Sequence, residues 1–205
     1  MRIFVSANNT DKGKTYTVLK LMEGFAKKGF RVGAIKPIET GVGSIPKDGF
    51  LLYEKAKRLN PDFSSIGIDD VVPIQHSLPA APIVSGEVDF KKIKNAFNKI
   101  SNVSDVVLIE GAGGILVPVK NEFKMIDFVD FFSARLFLVI GSNLGMINDF
   151  LLNKYYLENN GYDYMWAINL FDEDYFTVSY PYMKRFSPLY IQKDLDKIIE
   201  KLIGE

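Results

Sequence analysis

The sequence predicts an α/β fold, with helices layered on both faces of a mainly parallel central sheet. Three observations predict it. Short apolar runs alternate with amphipathic helical patterns along most of the 205 residues. The apolar runs end in polar or glycine-rich turns, and the first such turn carries Gly13-Lys14-Thr15 where a helix opens.

Ile3-Phe4-Val5 is the first strand. Residues 14–28 follow as a helix, because Val18, Leu21, Met22 and Phe25 recur at three- and four-residue spacings and Gly29 falls where a C-cap belongs. Residues 31–35 read as the second strand, 48–59 as a helix, and 90–100 as an amphipathic helix with Ile93, Phe97 and Ile100 inward. The intervening residues 60–82, broken by prolines and an Asp69-Asp70 pair, read as loop with short pieces. Residues 106–109, 136–140 and 164–168 are further strands. Gly111-Ala112-Gly113-Gly114 reads as a turn into an extended segment reaching Val119, and 149–158 as a helix. Leu195, Ile198, Ile199 and Leu202 share one stripe of a closing helix over 193–202. No repeat, low-complexity segment or linker interrupts this rhythm, so residues 1–205 are expected to form one domain.

Composition excludes several classes of chemistry. The absence of Cys removes disulfides, thiolate metal sites and cysteine nucleophiles together, and a single His, His76, argues against a multi-histidine metal centre. His76 is expected on a surface loop. With 25 Lys plus Arg against 25 Asp plus Glu, no global field draws the chain to nucleic acid or anionic lipid, so a bound anion needs a local site. The start of the chain lacks a signal-type apolar region, and no apolar run approaches the roughly 20 residues of a membrane span. A cytoplasmic protein without membrane or nucleic-acid partners is the expectation.

The first turn is where the chemistry begins. In Thr10-Asp11-Lys12-Gly13-Lys14-Thr15, Gly-Lys-Thr at a strand-to-helix junction is the working end of a P-loop. Backbone N–H groups cradle phosphates, the lysine reaches the β- and γ-oxygens, and the hydroxyl holds Mg²⁺. The fold class is therefore P-loop NTPase-type. Asn8 stands where the common pattern has its first glycine, and Asn tolerates left-handed backbone well enough to keep the turn buildable. Lys12, taken alone, reads better as a solvated surface lysine. Gly41-Val42-Gly43-Ser44-Ile45-Pro46 imitates a dinucleotide fingerprint but ends in proline and opens no helix.

In such sheets ligands bind beyond the carboxyl ends of the strands, so the residues there are the informative ones. Strand two ends in Lys36-Pro37-Ile38-Glu39-Thr40-Gly41, which brings a second ammonium and a hydroxyl to the P-loop edge. Two ammonium groups converging on phosphate stabilise charge as it moves during transfer. Glu110 closes the 106–109 run and, buried, requires a metal or lysine partner. Gly111 and Gly113 leave room for a ligand to approach backbone. Asp48 suits a helix cap and a Mg²⁺ ligand equally. Gly141-Ser142-Asn143-Leu144-Gly145-Met146-Ile147-Asn148 offers N–H groups to an anion or is a plain connection. Asn169, at the end of the last strand, carries an amide able to read a base, although a turn-forming Asn is the simpler reading.

Taken together, Thr10 to Thr15, Lys36-Pro37-x-x-Thr40-Gly41, Asp48, Glu110-Gly111-Ala112-Gly113-Gly114, Leu144 to Asn148 and Asn169 resemble the dethiobiotin synthetases, in order from Ile3 to about Asn169. The resemblance implies a homodimeric cytoplasmic ligase of biotin synthesis. Such an enzyme uses ATP and Mg²⁺ to close a ureido ring on 7,8-diaminopelargonic acid with CO₂ or bicarbonate, by way of a carbamate and a carbamic-phosphoric anhydride. It implies a nucleotide cradle of Thr10, Asp11, Lys12, Gly13, Lys14 and Thr15 with Glu110 and Gly113, and Thr15, Asp48 and Glu110 as metal ligands. Lys14, Lys36 and Thr10 are then catalytic, and Asn169 reads adenine. Thr40 contacts substrate, as do Gly145, Met146, Ile147 and Asn148 across the dimer interface.

There are departures from the family pattern. Ala7 replaces a usual glycine, and Leu78-Pro79-Ala80-Ala81-Pro82 lacks a histidine often found after a similar proline. The usual Gly-x-Ile/Leu-Pro turn that helps hold the base is replaced by Pro188-Leu189-Tyr190-Ile191, expected to run straight into the closing helix. Base selectivity is left open. Two other nucleotide-binding classes fit less well. A cobyrinic-acid amidoligase needs a glutaminase domain for which there is no length. A partition-type ATPase usually carries a lysine five positions before Lys14, where this chain has Asn9.

Overall fold

In the computed structural model, which describes residues 1–204, five parallel strands form the central sheet. They are β1 (Arg2–Ala7), β2 (Val32–Ile35), β3 (Val106–Gly114), β4 (Arg135–Gly141) and β5 (Tyr164–Asn169), ordered β2-β3-β1-β4-β5. The longer helices are α1 (Lys14–Lys27), α2 (Lys47–Leu59), α3 (Phe90–Asn102), α4 (Met146–Asn159) and α5 (Leu195–Ile203). The expected α/β, P-loop NTPase-type architecture is present, with each expected strand and long helix within a few residues of its sequence-based bounds.

Hydrophobic periodicity accounts for the layers. α1 buries Val18, Leu21, Met22 and Phe25, while α3 buries Ile93, Ala96, Phe97 and Ile100 behind an N-cap in which Asp89 accepts from the amides of Lys91 and Lys92. β1, central and fully buried over Ile3, Phe4 and Val5, sends Phe4 into an aromatic cluster with Phe128, whose ring stacks on Phe132 at 5.4 Å. Because strand side chains alternate, Ile3 and Val5 face the other layer. With all five strands parallel, their carboxyl ends share one edge of the sheet. Register aligns that edge: Ile35 lies opposite Ile109, and Val5 opposite Glu110.

Three local readings are corrected. The glycine run is not a turn but the end of β3: Val5 pairs with Glu110 whereas Ala7 pairs with Gly114, so Gly111-Ala112-Gly113 bulges out of the ladder. Residues 60–82 are, as expected, loop with short pieces, a 3-10 turn, the short helix Ile68–Val71 and the strand Ile74–His76, but that strand pairs in parallel with Ile38–Thr40. His76 therefore ends a strand, with Nε2 3.1 Å from the Glu87 carbonyl. Residues 188–191 do not run straight into α5: the Ile168 amide donates to the Leu189 carbonyl at 2.8 Å, and the Ile191 amide to the Ile168 carbonyl at 3.0 Å. Neither a three-residue strand nor a single isolated bridge carries a readable period, which is why sequence missed both pairings. No helix among the described residues is long and apolar enough to cross a membrane.

Candidate active site

A cleft of about 740 Å³ opens where β1, β2 and β3 end. From β1 it receives Thr10, Asp11, Gly13, Lys14 and Thr15; from the segment after β2, Lys36, Thr40 and Asp48; from β3, Glu110 and Gly113. These ten residues, singled out from sequence, line one cavity. Pro79, Ala80, Ala81 and Pro82 form a further wall.

The loop takes its shape from two left-handed residues, Asp11 with φ 56° and Gly13 with φ 83°. Asn8, expected to bear that conformation, does not. Its amide instead accepts from the Gly141 amide and donates to Asp149 Oδ2, both at 3.2 Å, tying the loop to the sheet and to α4. Gly13 cannot carry a side chain, since a Cβ there would lie 2.0 Å from Asn169 Nδ2. α1 then begins at Lys14, and its first-turn amides, lacking intrahelical partners, are available to an anion.

Charge is concentrated behind the loop. Lys36, 5% exposed, donates to Glu110 Oε1 at 2.8 Å and also to Asp48, and the Thr15 hydroxyl donates to the same Glu110 oxygen at 2.9 Å. Burial alone would depress the Lys36 ammonium, but Glu110 and Asp48 outweigh it and hold the group above the ordinary lysine range. Lys14 lacks such contact and donates to the Asn9 carbonyl at 3.2 Å. Burial, reinforced by Lys36 and only partly opposed by Glu110, lowers its pKa to about 8. The two cations thus enter from separate strand exits, one paired and one poised.

Glu110 is 1% exposed, and its Oε2 has no hydrogen-bond partner among the described residues. A buried, unpaired carboxylate oxygen is costly. With the Thr15 hydroxyl and the Asp48 carboxylate in the same cluster, the donors are all oxygen, the set that suits Mg²⁺. No group of three or more His, Cys, Asp or Glu gathers for a metal among the described residues. Two carboxylates and a hydroxyl fit an ion that completes its shell with phosphate oxygens and water.

Sequence reasoning missed Glu39. α2 begins after Pro46, which offers no capping side chain, and Glu39 substitutes by accepting from the amides of Asp48 at 3.1 Å and Gly49 at 2.9 Å. Burial raises its pKa against those two bonds. A helix start without a capping residue was the available signal. Glu39→Ala leaves both amides uncapped, so a loss of about 1 kcal/mol in urea unfolding is expected, with activity reduced because Asp48 is no longer held.

Other expected residues lie outside this cleft. Lys12 turns away and donates to Asn143 Oδ1 at 2.7 Å. Asn169, 6% exposed, donates to the Lys12 carbonyl at 3.1 Å and accepts from Gln192 at 2.6 Å, placing it behind the phosphate loop. Gly145, Met146, Ile147 and Asn148 open α4, beside Asn8 through Asp149.

A parallel sheet, a glycine-lysine-threonine loop and converging lysines at the carboxyl edge define a P-loop NTPase. Among solved structures, a putative plasmid partition protein of Borrelia burgdorferi bound to AMPPNP superposes with TM-score 0.55 at 12% identity, covering 99% of this chain and 96% of that one. At that identity the likeness is one of fold. The family model described as AAA domain matches residues 1–170. An ATP-dependent dethiobiotin synthetase of Sulfurovum sp. is 35% identical over 193 residues, covering 92% of both chains. That of Wolinella succinogenes is 33% identical over 98% of both, and that of Methanocaldococcus jannaschii 33% identical over 78% of this chain and 74% of its own. The chain belongs to the ATP-dependent dethiobiotin synthetases, a family of ligases.

Proposed function

We propose that this chain closes the ureido ring of dethiobiotin on 7,8-diaminopelargonic acid, using ATP, Mg²⁺ and CO₂ drawn from bicarbonate, in the cytoplasm and as one domain. The observation that carries the reading is the arrival of Lys14 and Lys36 from different strands in one cleft with Glu110 and Asp48. Family membership supplies the substrate class.

One amine of the diamine adds to the carbon of CO₂, giving up a proton and forming a carbamate. A carbamate oxygen attacks the γ-phosphorus and ADP leaves. The second amine attacks the carbonyl carbon of the resulting anhydride, the C–O bond breaks, and phosphate departs as the ring closes. No covalent enzyme nucleophile is needed, because positioning and charge stabilisation carry phosphoryl transfer. Lys14 and the loop amides hold the phosphates. Lys36 sits between carbamate and γ-phosphate, where charge moves, and Thr40 contacts the substrate nitrogen end. Thr15, Asp48 and Glu110 would hold Mg²⁺, which when bound offsets charge on the β- and γ-oxygens.

The substrate carboxylate falls to residues 145–148, across a homodimer interface. Supporting this, large apolar side chains are exposed on and beside α4: Leu144, just before it, and Leu152 and Tyr155 within it are 80%, 61% and 71% exposed. Large apolar side chains clustered at the surface in this way suit cover by a second copy. The test is turnover of the diamine with ATP and bicarbonate, the product identified by mass. Dethiobiotin should form only when all three are supplied, and ATP consumption triggered by a protein, DNA or lipid instead would replace this reading with a nucleotide switch. Glu110→Gln is expected to raise the Mg²⁺ concentration needed for half-activation by about tenfold with little change in diamine KM. An unaltered metal titration would refute the role given to Glu110.

A further inference from the structure

Gln192 lies after the segment that replaces the family's base-holding turn, and both its amide oxygen and its amide nitrogen are hydrogen-bonded. Oε1 accepts from the Leu170 amide at 3.1 Å, while Nε2 donates to the Leu170 carbonyl at 3.0 Å and to Asn169 Oδ1 at 2.6 Å. The first two bonds fix which way round the Gln192 amide lies, since a backbone N–H can only donate and a carbonyl can only accept. The third then fixes Asn169. Its Oδ1 faces a donor, and its Nδ2 faces an acceptor, the Lys12 carbonyl at 3.1 Å. A flipped Asn169 would oppose carbonyl to carbonyl at one end and amide to amide at the other. One N–H and one lone pair of Asn169 are left over, and its Nδ2 lies beside Gly13 of the phosphate loop.

We infer that Gln192 is a positioning residue for base selection: it locks the Asn169 amide in the one orientation that presents its spare lone pair and N–H to adenine and refuses guanine. This rests on the nucleotide-site reading above. An Asn amide bonds bidentately to the N6 amino group and N7 of adenine, whereas guanine offers two acceptors, O6 and N7, so its O6 would oppose the fixed Oδ1. Discrimination in this chain thus depends on a side chain in the returning segment, and the missing turn is not required.

The experiment measures equilibrium binding of ATP and of GTP, each with Mg²⁺ and without diamine, by calorimetry, in the unaltered chain, Gln192→Glu and Gln192→Ala. The unaltered chain should bind ATP more tightly than GTP. Gln192→Glu places an acceptor against Asn169 Oδ1 and favours the flipped amide, so the ratio of GTP to ATP dissociation constants should fall by about tenfold. Gln192→Ala, which frees the amide, should lower the ratio less and serves alone should Gln192→Glu fail to fold. In steady state the change should appear in nucleotide KM, with kcat for ATP nearly kept. Equal weakening of both nucleotides, no change in either, or an unaltered chain that does not discriminate would each overturn the inference. Failure of the unaltered chain to make dethiobiotin would instead strike the functional reading and leave the binding ratio to decide this one.

Discussion

Lys36→Met is expected to lower kcat for dethiobiotin formation about a hundredfold to a thousandfold, the loss associated with removing one preorganised stabiliser of developing negative charge. KM for ATP should move far less, because Lys14 and the loop amides continue to hold the phosphates. The substitution also acts on the fold. It strips the ammonium from Glu110, which is 1% exposed and bonded to Lys36 at 2.8 Å, leaving a buried carboxylate without its counter-charge. Breaking such a pair costs about 3–5 kcal/mol. Lys36→Met combined with Glu110→Gln should recover much of that stability in urea unfolding while activity stays lost. Recovery of both together would mean that Lys36 serves structure alone, and an unchanged kcat in the single variant would remove it from the chemistry.

Gly13→Ala should be comparably severe by a different route. At φ 83° an added Cβ carries about 1–2 kcal/mol of left-handed strain. It would also lie 2.0 Å from Asn169 Nδ2, so the loop must shift or Asn169 must leave the Lys12 carbonyl. Either displacement misplaces the first-turn amides of α1. A distortion of about 3 kcal/mol lowers ATP affinity about a hundredfold, which calorimetric titration would read directly. Pairing Gly13→Ala with Asn169→Ala relieves the contact but leaves the backbone strain and removes the amide assigned to the base, so affinity should stay low. Full affinity in Gly13→Ala would show that the loop does not cradle phosphate in this conformation.

The parts of the site legible in the sequence were those announced by the end of an apolar run. Lys36 follows Ile35 and Glu110 follows Ile109, and because those two residues are register partners in parallel strands, the charges after them had to meet. Gly13-Lys14-Thr15 was legible because the strand before it and the helix after it were. Glu39 and Gln192 were not, since each works through backbone groups distant in sequence or through a three-residue pairing that leaves no period to detect. The bulge in β3 was hidden for a related reason. A glycine run has no side chains from which to judge alternation, so a strand that bulges reads as a turn. Lys12 illustrates the converse: its neighbours make it look like part of the phosphate cradle, yet its ammonium is spent on Asn143.

Transfer of a phosphoryl group to a carbamate, rather than to water, is decided most directly by oxygen tracing. With bicarbonate labelled in ¹⁸O, the diamine and ATP, quenched rapidly before exchange with solvent, the released phosphate should carry one labelled oxygen, delivered when the carbamate attacks the γ-phosphorus. Phosphate formed at the same rate but free of label, its new oxygen drawn from water, would contradict the assignment of this cleft.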